Sequence, residues 1–559
     1  MTRLFGNYKE SVIKNGNIKQ NGVGKMSDFT DKALKSIKKK GITHIWYTGI
    51  IEHATCERYK GTDLNVQNPL IVKGRAGSPY AITDYYDVNP YLADDISNRI
   101  KEFEDLVVRT HKNNLKVIID FVPNHVARQY KSDVFPEKDF GINDDKTVSF
   151  SPNNDFYYIP NEKLHLEDGM GSVLNNEKIE DYIEFPAKAT GNDRFDAHPS
   201  KNDWYETVKL NYGIDYINGG ARYFNPIPPL WDKMVDILNY WCSKGVDGIR
   251  CDMAEMVPVE FWEYAIAKVK NKYNKVIFIA EVYNPAEYHN YIKIGGFDYL
   301  YDKVGLYDSL RNIISNNYFA EDITRCWQNL GGIDSKMLSF LENHDEQRIA
   351  SRFFANNSMY AIPAMVVSAT INKGAVMLYF GQEFGEPAIG ESGYSGDDGR
   401  TTIFDFYNVP EFNKWANNGK FDGAKLSKEQ KQLQKRYSDI LNFSIKSKAI
   451  GEGDFYDLMW VNHFEGGPDT RYIYAYLRYY NNDRVLVVVN FNKTEKQIFK
   501  LKVPDDALKL MNINSTRISI NDCFSNENIN NIDISQVINR GIDIELLPLE
   551  FSVFSIFEK

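Results

Sequence analysis

The sequence predicts an α/β protein: a (β/α)8 TIM barrel with an irregular domain inserted after the third strand and a C-terminal antiparallel β-sandwich. Three observations lead to this prediction. Amphipathic helices alternate with compact apolar strands over most of the chain, a long polar stretch without helical period interrupts the alternation, and short strands separated by hairpin breaks follow it. With 559 residues, the chain is long enough for a large barrel with additions.

The repeating unit is an amphipathic helix, a short break at Gly, Asn or Lys, and an apolar strand. In MSDFTDKALKSIKKKGITHIWYT, Leu34 and Ile37 lie on one helical face, and Gly41 suits the helix C-terminus before the strand ITHIWYT. The same unit predicts strands in KVIIDFVP, GVDGIRCD, KVIFIAEV and GAVMLYFGQE, and FDYLYD and KMLSFLENHD add two more. A strand around Arg3–Phe5 completes the eight that close such a barrel.

Strands as apolar as these are buried on both faces, which favours a parallel sheet covered by helices. The competing fold is a doubly wound open sheet, which usually carries a glycine-rich phosphate turn after its first strand. The segment RLFGNYKES contains no GxGxxG pattern, so the closed barrel is favoured.

The spacing of the acids at strand ends locates the insertion. From Asp252 to Glu281 is about one βα unit of roughly 30 residues, whereas the stretch from Asp120 to Asp252 holds on the order of 100 residues beyond its one helix–strand unit. The inserted stretch is rich in Asn, Asp, Pro and Tyr and lacks helical period. We therefore predict a barrel formed by 1–125 and 213–446 and an inserted domain at 126–212.

The pattern of apolar and polar residues changes again after Lys446. The segments DTRYIYAYLRYY, DRVLVVVNF and KQIFKLKVP are separated by NN and NKTE breaks, and the chain ends in IELLPLEFSVFSIFEK. Alternating apolar residues bounded by such breaks are typical of antiparallel strands and hairpins. We predict a β-sandwich at 447–559.

Composition and charge exclude several classes of protein. Hydrophobic residues make up 43% and charged residues 25%, the balance of a folded protein rather than a disordered or membrane one. The net charge of -10 argues against a nucleic-acid or anionic-lipid partner. No apolar run of about 18 residues appears, so we expect no membrane span. The beginning MTRLFGNYKE lacks a signal-peptide core, and the five cysteines are too scattered for a disulfide framework, so we expect a cytoplasmic protein.

Ionisable residues stand at the ends of four predicted strands. Arg250 and Asp252 in GIRCD are two residues apart, so both should face the barrel axis at the end where barrel enzymes keep their active sites. A buried ion pair that closes the barrel would explain these two residues alone. Three further strands, in IIDFVPNH, FIAEVY and FLENHDEQR, place Asp120, Glu281 and Asp345. Carboxylates converging on one mouth repel each other, which indicates a functional site.

The residue types narrow the chemistry of that site. Metal-dependent barrel hydrolases usually collect several histidines as ligands, whereas the nine His of this chain show no HxH or HExxH pattern. Glycoside cleavage requires a carboxylate beside the anomeric carbon and a protonated acid beside the leaving oxygen, about 5 to 5.5 Å apart when configuration is retained. Glycoside cleavage is the better match.

Four short blocks occur in order, DFVPNH, GIRCD, AEVY and FLENHD, with SPYAITDYYDV ahead of the first and GQE after the eighth strand. In these blocks the chain resembles the α-amylase superfamily of glycoside hydrolases. Each block alone is weak, but four in order at barrel spacing are specific, and the family pattern covers nearly the whole chain. The resemblance implies a barrel with an insertion and a terminal sandwich, and a retaining enzyme that acts on α-linked glucose.

The resemblance also implies a role for each matching residue. Asp252 would be the nucleophile that forms a covalent glycosyl intermediate, Glu281 would be the general acid and then the base, and Asp345 would hold ring hydroxyls of the distorted sugar. Asp120 is interpreted as structural support. The remaining matches would bind substrate or orient the nucleophile: Tyr80, His125, Arg250 and His344.

Two departures from the family pattern affect the expected binding mode and the expected metal. Many starch-degrading members carry a Lys-His pair soon after the nucleophile, where this chain has Glu255 and Met256. In KLNYG, Lys209 stands where calcium-binding members carry an Asp, although Asn124 matches one calcium ligand. A cation at that position repels calcium, so a structural calcium ion is disfavoured and no metal or organic cofactor is expected.

We therefore predict a retaining glycoside hydrolase that cleaves α-glucosidic bonds, mainly α-1,4, in glucose oligo- or polysaccharides. A glucanotransferase that uses the same covalent intermediate is the first alternative, because only competition between water and an acceptor sugar separates the two. A non-catalytic role, as in family members that are subunits of membrane transporters, is disfavoured by the intact acids and the missing membrane span. A third alternative is a protein that only binds sugar through its C-terminal sandwich. It has little support, because no row of aromatic residues stands out in that part of the sequence.

Overall fold

The computed structural model describes every residue except 1, 11, 60, 61, 63, 65, 172, 173, 175–178, 391–395 and 526. The described chain divides into two compact units. The first comprises residues 1–38, 43–300 and 390–424, and the second comprises residues 39–42, 301–389 and 425–559.

The strands of the first unit alternate with helices at its start and end and are short and irregular in between. They are β1 His44–Tyr47, β2 Ile51–His53, β3 Ile82–Val88, β4 Lys116–Phe121, β5 His125–Ala127, β6 Tyr158–Ile159, β7 Ala187–Lys188, β8 Thr207–Lys209, β9 Ile214–Asp215, β10 Ala221–Arg222, β11 Gly248–Cys251, β12 Ile277–Ala280 and β13 Tyr299–Tyr301, whose last residue belongs to the second unit.

The second unit contains the remaining strands, most of them near the end of the chain. They are β14 Met337–Phe340, β15 Ala375–Met377, β16 Asp454–Asp457, β17 Ile473–Tyr480, β18 Asp483–Asn490, β19 Gln497–Leu501, β20 Arg517–Asp522, β21 Asn528–Asp533, β22 Ile542–Leu546 and β23 Phe551–Glu558.

The α-helices of the two units are given together in chain order. They are α1 Ile18–Asn21, α2 Asp31–Lys39, α3 Arg99–Lys112, α4 Pro229–Ser243, α5 Val259–Lys272, α6 Tyr288–Lys293, α7 Asp308–Ile314, α8 Ile323–Asn329, α9 Ile362–Thr370, α10 Pro410–Ala416, α11 Lys428–Lys446, α12 Lys448–Gly451, α13 Asp505–Leu510 and α14 Ile534–Asn539.

Within the first unit, five strands lie side by side in the order β1-β4-β11-β12-β13. Every neighbouring pair among these five strands is parallel, and within the second unit β14 pairs parallel with β15. Helices connect successive strands, and strands such as β4 and β11 are buried along nearly their whole length. Parallel strands covered by crossover helices confirm the predicted α/β class.

The predicted strand around Arg3–Phe5 is wrong, because Thr2–Leu4 form a single turn of 3-10 helix. The Phe5 amide donates a 3.1 Å hydrogen bond to the Thr2 carbonyl. An extended strand would send successive side chains to opposite faces, whereas Thr2, Arg3 and Leu4 are all buried. The turn lets the Arg3 guanidinium reach the Tyr91 hydroxyl at 3.0 Å inside the unit. Seven of the eight predicted parallel strands are therefore present among the described residues.

The segment between β4 and β11 contains only short strands, as expected for an irregular insertion. Strand β5 pairs antiparallel with β8, and β6 pairs with β7. Its apolar residues form small clusters, one of which consists of Leu164, Ala187 and Ala197. The insertion follows β4, the strand that the sequence predicts from KVIIDFVP. The limits 126–212 remain a prediction.

The C-terminal part of the second unit is antiparallel, in agreement with the predicted sandwich. Six strands pair in the order β16-β17-β18-β23-β20-β21, and β19 pairs with β22 in a second, two-stranded sheet. Strand β17 is buried on both faces over Ile473–Arg478. Helix α11 ends at Lys446, and β16 begins at Asp454.

Two sequence expectations concern disulfide bonds and membrane-spanning helices. The five cysteines, Cys56, Cys242, Cys251, Cys326 and Cys523, are all free thiols, as their scatter along the chain predicted. Among the described residues, no helix has both the length and the apolar character that crossing a membrane requires.

Candidate active site

One buried arginine holds three carboxyl groups in the first unit. Arg250 Nη1 donates to Asp252 Oδ1 at 2.7 Å and to Asp120 Oδ1 at 3.3 Å, and Nη2 donates to Glu281 Oε2 at 2.6 Å. The Arg250 side chain is 1% exposed, and its three partners are buried as well. The guanidinium is planar and always charged, so it fixes the relative positions of the acids that it bridges.

The backbone explains why these side chains meet. Arg250 on β11 is directly opposite Asp120 on β4 in the parallel register. The Asp252 amide donates to the Phe121 carbonyl at 2.9 Å, and the Glu281 amide donates to the Cys251 carbonyl at 3.1 Å. These bonds continue the ladder one residue past the end of each strand, so the acids lie at the carboxyl ends of neighbouring strands.

Burial raises the pKa of Asp252 well above its usual range; Arg250 opposes this shift, and the charges of Glu281 and Asp120 add to it. Three carboxyl groups share one guanidinium, and ionising all of them would leave like charges unpaired inside the protein. Burial and these like charges therefore act in the same direction on Asp252 and favour its protonated form.

Glu281 is held by three donors from different segments. Oε2 accepts from Arg250 and, at 2.9 Å, from the Met253 amide, and Oε1 accepts from the Tyr283 hydroxyl at 2.6 Å. Met253 adopts a left-handed backbone conformation with φ of 42°, which turns its amide toward the carboxyl group. Strain of this kind in a non-glycine residue is typical of functional sites.

Glu255 has a role that the sequence did not reveal. Its Oε2 accepts hydrogen bonds from the amides of Tyr283 at 3.0 Å and Asn284 at 2.9 Å. The carboxylate thus fixes the loop that follows β12 and the tyrosine that contacts Glu281. The one sequence signal was an acid at the position where many family members carry a lysine.

Two aromatic rings cover the guanidinium. The Arg250 Cζ atom lies 5.1 Å from the Trp46 ring centroid and 5.5 Å from that of Tyr80, within the range of cation–π attraction. Trp46 Nε1 also donates to Asp120 Oδ2 at 2.9 Å. Tyr80 was named from the sequence, whereas Trp46 was missed. Asp120 accepts from Arg250 at Oδ1 and from Trp46 at Oδ2, and its role as structural support stays a prediction.

His125 lies in the same unit but on β5, with a neutral ring. Burial lowers its pKa to about 3, with a further contribution from the Lys209 cation. Its Nδ1 is 3.1 Å from Asn124 Nδ2, and its ring packs against Trp204 with centroids 5.1 Å apart. A neutral imidazole is suited to hydrogen bonding with hydroxyl groups.

Lys209 occupies the position where the family pattern places a calcium ligand. Its Nζ contacts Asn124 Oδ1, lies 2.6 Å from Asp193 Oδ1 and donates to the Met256 carbonyl at 3.2 Å. The Lys209 side chain is 2% exposed. An ammonium group with three oxygen partners leaves no room for a divalent ion, so these residues do not fit calcium.

His344 and Asp345 belong to the second unit, where they follow β14. His344 Nε2 lies 3.0 Å from Asp345 Oδ2, and the Asp345 amide donates to Asn343 Oδ1 at 2.8 Å. His344 is buried, and the Asp345 side chain is 34% exposed. Asp345 therefore keeps a solvent-facing carboxylate on a fixed backbone.

Residues 13–409 match the family model described as alpha amylase, catalytic domain. The chain belongs to this alpha-amylase family. As a member, it is a glycoside hydrolase with the (β/α)8-barrel fold. Where the sequence predicts the first strand, the chain forms a 3-10 turn at Thr2–Leu4.

Individual relatives of this alpha-amylase family chain are distant in sequence and similar in fold. It is 23% identical over 498 residues to Alpha-amylase 3 of Dictyoglomus thermophilum, covering 85% of this chain and 82% of that one. It is 21% identical over 439 residues to a cyclomaltodextrinase of Thermoanaerobacter pseudethanolicus, covering 77% and 61% respectively. The alpha-amylase of Geobacillus thermoleovorans, solved with acarbose, aligns with a TM-score of 0.61 at 18% identity over 100% of this chain and 97% of that one.

Proposed function

We propose that the protein is a retaining enzyme that hydrolyses α-glucosidic bonds, mainly α-1,4, in glucose oligo- or polysaccharides through a covalent glycosyl–Asp252 intermediate. The observation that supports this most is the Arg250 guanidinium that bridges Asp252 and Glu281. One guanidinium between two carboxyl groups favours the separation of about 5 to 5.5 Å used in retention over the 6.5 to 9.5 Å that inversion needs for an intervening water.

The two carboxyl groups differ in which oxygen is available. Arg250 occupies Asp252 Oδ1, whereas Oδ2 has no hydrogen-bond partner among the described residues. Oδ2 is therefore the oxygen that attacks the anomeric carbon. Glu281 Oε2 accepts from two N–H donors, so Oε1 is the oxygen that carries the proton when Glu281 acts as the general acid.

The reaction then proceeds in two balanced steps. Asp252 Oδ2 forms a bond to the anomeric carbon while the glycosidic C–O bond breaks, and the Oε1 proton of Glu281 moves to the leaving oxygen. In the second step Glu281 removes a proton from water, whose oxygen attacks the same carbon and displaces Asp252. Two inversions at one carbon retain the α-configuration.

The remaining site residues are proposed to bind sugar, on the strength of the family pattern. Tyr80 provides an aromatic face, and the neutral His125 provides a hydrogen-bonding imidazole. We assign hydroxyl binding to His344 and to Asp345, whose carboxylate is partly exposed. Arg250 orients the Asp252 carboxyl group and favours its ionised form, against the effect of burial.

We further propose that the protein works without a structural calcium ion, because the Lys209 ammonium already binds the oxygens of Asn124, Asp193 and Met256. No organic cofactor takes part in the two steps above. The only partner that the proposal requires is a saccharide, as bound acarbose illustrates in the Geobacillus thermoleovorans relative.

Incubation with maltoheptaose tests the proposal. Product lengths are followed by chromatography, and the anomeric form of fresh reducing ends is followed by proton NMR. Shorter products with initially α-configured ends support retaining hydrolysis, and initially β-configured ends contradict it. Products longer than the substrate support the glucanotransferase alternative. No turnover of maltoheptaose, α-1,6 oligomers, trehalose or sucrose would favour a non-catalytic member.

A further inference from the structure

Two histidines and a glutamate cluster within the predicted insertion, away from the acids described above. The rings of His165 and His198 stack with centroids 4.5 Å apart and an interplanar angle of 4°. Glu162 Oε1 lies 2.8 Å from His198 Nε2. One nitrogen from each histidine and one glutamate oxygen all lie within 4.8 Å of one another.

The backbone that carries these side chains is fixed. The His165 amide donates to the Ala197 carbonyl at 2.8 Å, which ties the two histidine segments together next to His198. The Ala187 amide donates to the Glu162 carbonyl at 2.8 Å. Below them, Leu164, Ala187 and Ala197 form a buried apolar cluster. These backbone bonds hold together the segments that carry the three side chains.

Packing does not explain this arrangement. The His198 side chain is 58% exposed and that of Glu162 is 43% exposed, so the pair between them contributes little to stability in water. Neither ring nitrogen of His165 has a hydrogen-bond partner among the described residues. An imidazole without a partner, stacked on a second imidazole and beside a carboxylate, presents ligand atoms to solvent.

We propose that Glu162, His165 and His198 bind one divalent transition-metal ion of the Zn²⁺ type. Two imidazoles and one carboxylate are a ligand set that zinc accepts, with Zn–N distances of about 2.0–2.1 Å and water completing a tetrahedron. Calcium and magnesium prefer oxygen ligands, so two nitrogens out of three disfavour them. Exposure of the cluster leaves the fourth position open to water.

The bound ion would cross-link two segments of the insertion. It would join the segment that holds Glu162 and His165 to the segment that holds His198, and so close the stretch of chain between them. That stretch contributes Glu184, whose carboxylate pairs with the buried Arg128 at 2.7 Å. An ion that binds the folded chain more tightly than the unfolded chain raises the unfolding temperature further as its free concentration increases.

Zinc binding by the full-length chain tests the proposal. After chelation and removal of the chelator, Zn²⁺ alone is titrated by calorimetry, and Co²⁺ is titrated by absorption spectroscopy. We expect one site, intense d–d bands of tetrahedral Co²⁺, and a Zn²⁺-dependent rise in unfolding temperature. His165→Ala and His198→Ala should weaken Zn²⁺ binding at this site by at least about tenfold, because each removes one of three ligands.

A matched control comes from the second unit, where His463 pairs with Glu321 at 3.3 Å on the surface without a second histidine. His463→Ala should leave the Zn²⁺ titration unchanged. Equal Zn²⁺ binding by the unmodified chain, His165→Ala and His198→Ala would overturn the proposal, as would the absence of tetrahedral Co²⁺ bands in the unmodified chain. Circular dichroism and basal saccharide turnover verify folding, and the milder Glu162→Gln replaces any variant that does not fold.

Discussion

The Tyr283 hydroxyl donates a 2.6 Å hydrogen bond to Glu281 Oε1, the oxygen that the mechanism uses to protonate the leaving group. The tyrosine is itself fixed through its amide by Glu255. These contacts position the proposed general acid, and Glu255 lies where the sequence departs from the common family pattern.

Replacing this hydroxyl tests its positioning role. Tyr283→Phe should lower kcat by about tenfold with little change in KM, because general acid catalysis contributes about 10²–10⁴ and a misdirected acid loses part of it. Steady-state kinetics on maltoheptaose measure the effect. Tyr273→Phe, at the end of α5, is the matched control and should behave as the unmodified enzyme. A rise in KM at constant kcat would instead assign Tyr283 to substrate binding.

The nucleophile assignment predicts opposite effects on activity and stability. Asp252→Asn should lower kcat by about 10⁴-fold or more, because no attacking carboxylate remains. Burial raises the pKa of Asp252, so the folded state binds its proton more tightly than the unfolded state does. The unmodified protein therefore loses stability as pH rises above the unfolded pKa, and the asparagine variant does not.

Thermal denaturation between pH 4 and pH 8 measures the second effect. The unfolding temperature of Asp252→Asn should match that of the unmodified protein at the acid end and exceed it increasingly as pH rises. A variant that is less stable than the unmodified protein at pH 8 would contradict the electrostatic part of the account, and substantial residual turnover would contradict the catalytic part.

Calcium addition tests the role of Lys209. Added Ca²⁺ should leave the unfolding temperature of the unmodified protein unchanged, because the Lys209 ammonium already occupies the oxygens of Asn124, Asp193 and Met256. Lys209→Asp should be less stable without calcium, by about 3 kcal/mol, since it leaves those oxygens without a cation. It should regain stability when Ca²⁺ is added. If added Ca²⁺ stabilised the unmodified protein, the claim that the Lys209 ammonium takes the place of a calcium ion would be refuted.

Because His125 is neutral, we expect its contribution to kcat/KM to be independent of pH. Its pKa of about 3 means that the ring carries no charge throughout the range in which the acid pair works. His125→Gln should lower kcat/KM by about tenfold, the loss of one hydrogen bond to substrate, without altering the shape of the pH–rate profile. A displaced acidic limb in the variant would show that His125 titrates in the working range.

Much of the fold and part of the site follow from local sequence pattern. Apolar runs after amphipathic helices placed β4, β11 and β12, and the two-residue spacing of Arg250 and Asp252 put both side chains on one face. Because parallel strands end at the same edge, Asp120 and Glu281 could be assigned to the same group. These inferences need only the period of a strand and the direction of a sheet.

The missed features depend on contacts that no local pattern reveals. Arg3 lies in a turn because its guanidinium bonds to Tyr91, far along the chain. Trp46 contacts Asp120 across 74 positions of sequence. Likewise Glu162 and His165 become a candidate metal site only when His198 folds back onto them.

The central claim is that Asp252 forms a covalent bond to the sugar. The most direct test is to incubate the enzyme with a fluorinated α-glucosyl fluoride that slows breakdown of the intermediate, digest it, and locate the added sugar mass by tandem mass spectrometry. The account predicts one glucosyl unit on the peptide that contains Asp252, and none in Asp252→Asn. A label on another residue, or none although the fluoride is consumed, would contradict it.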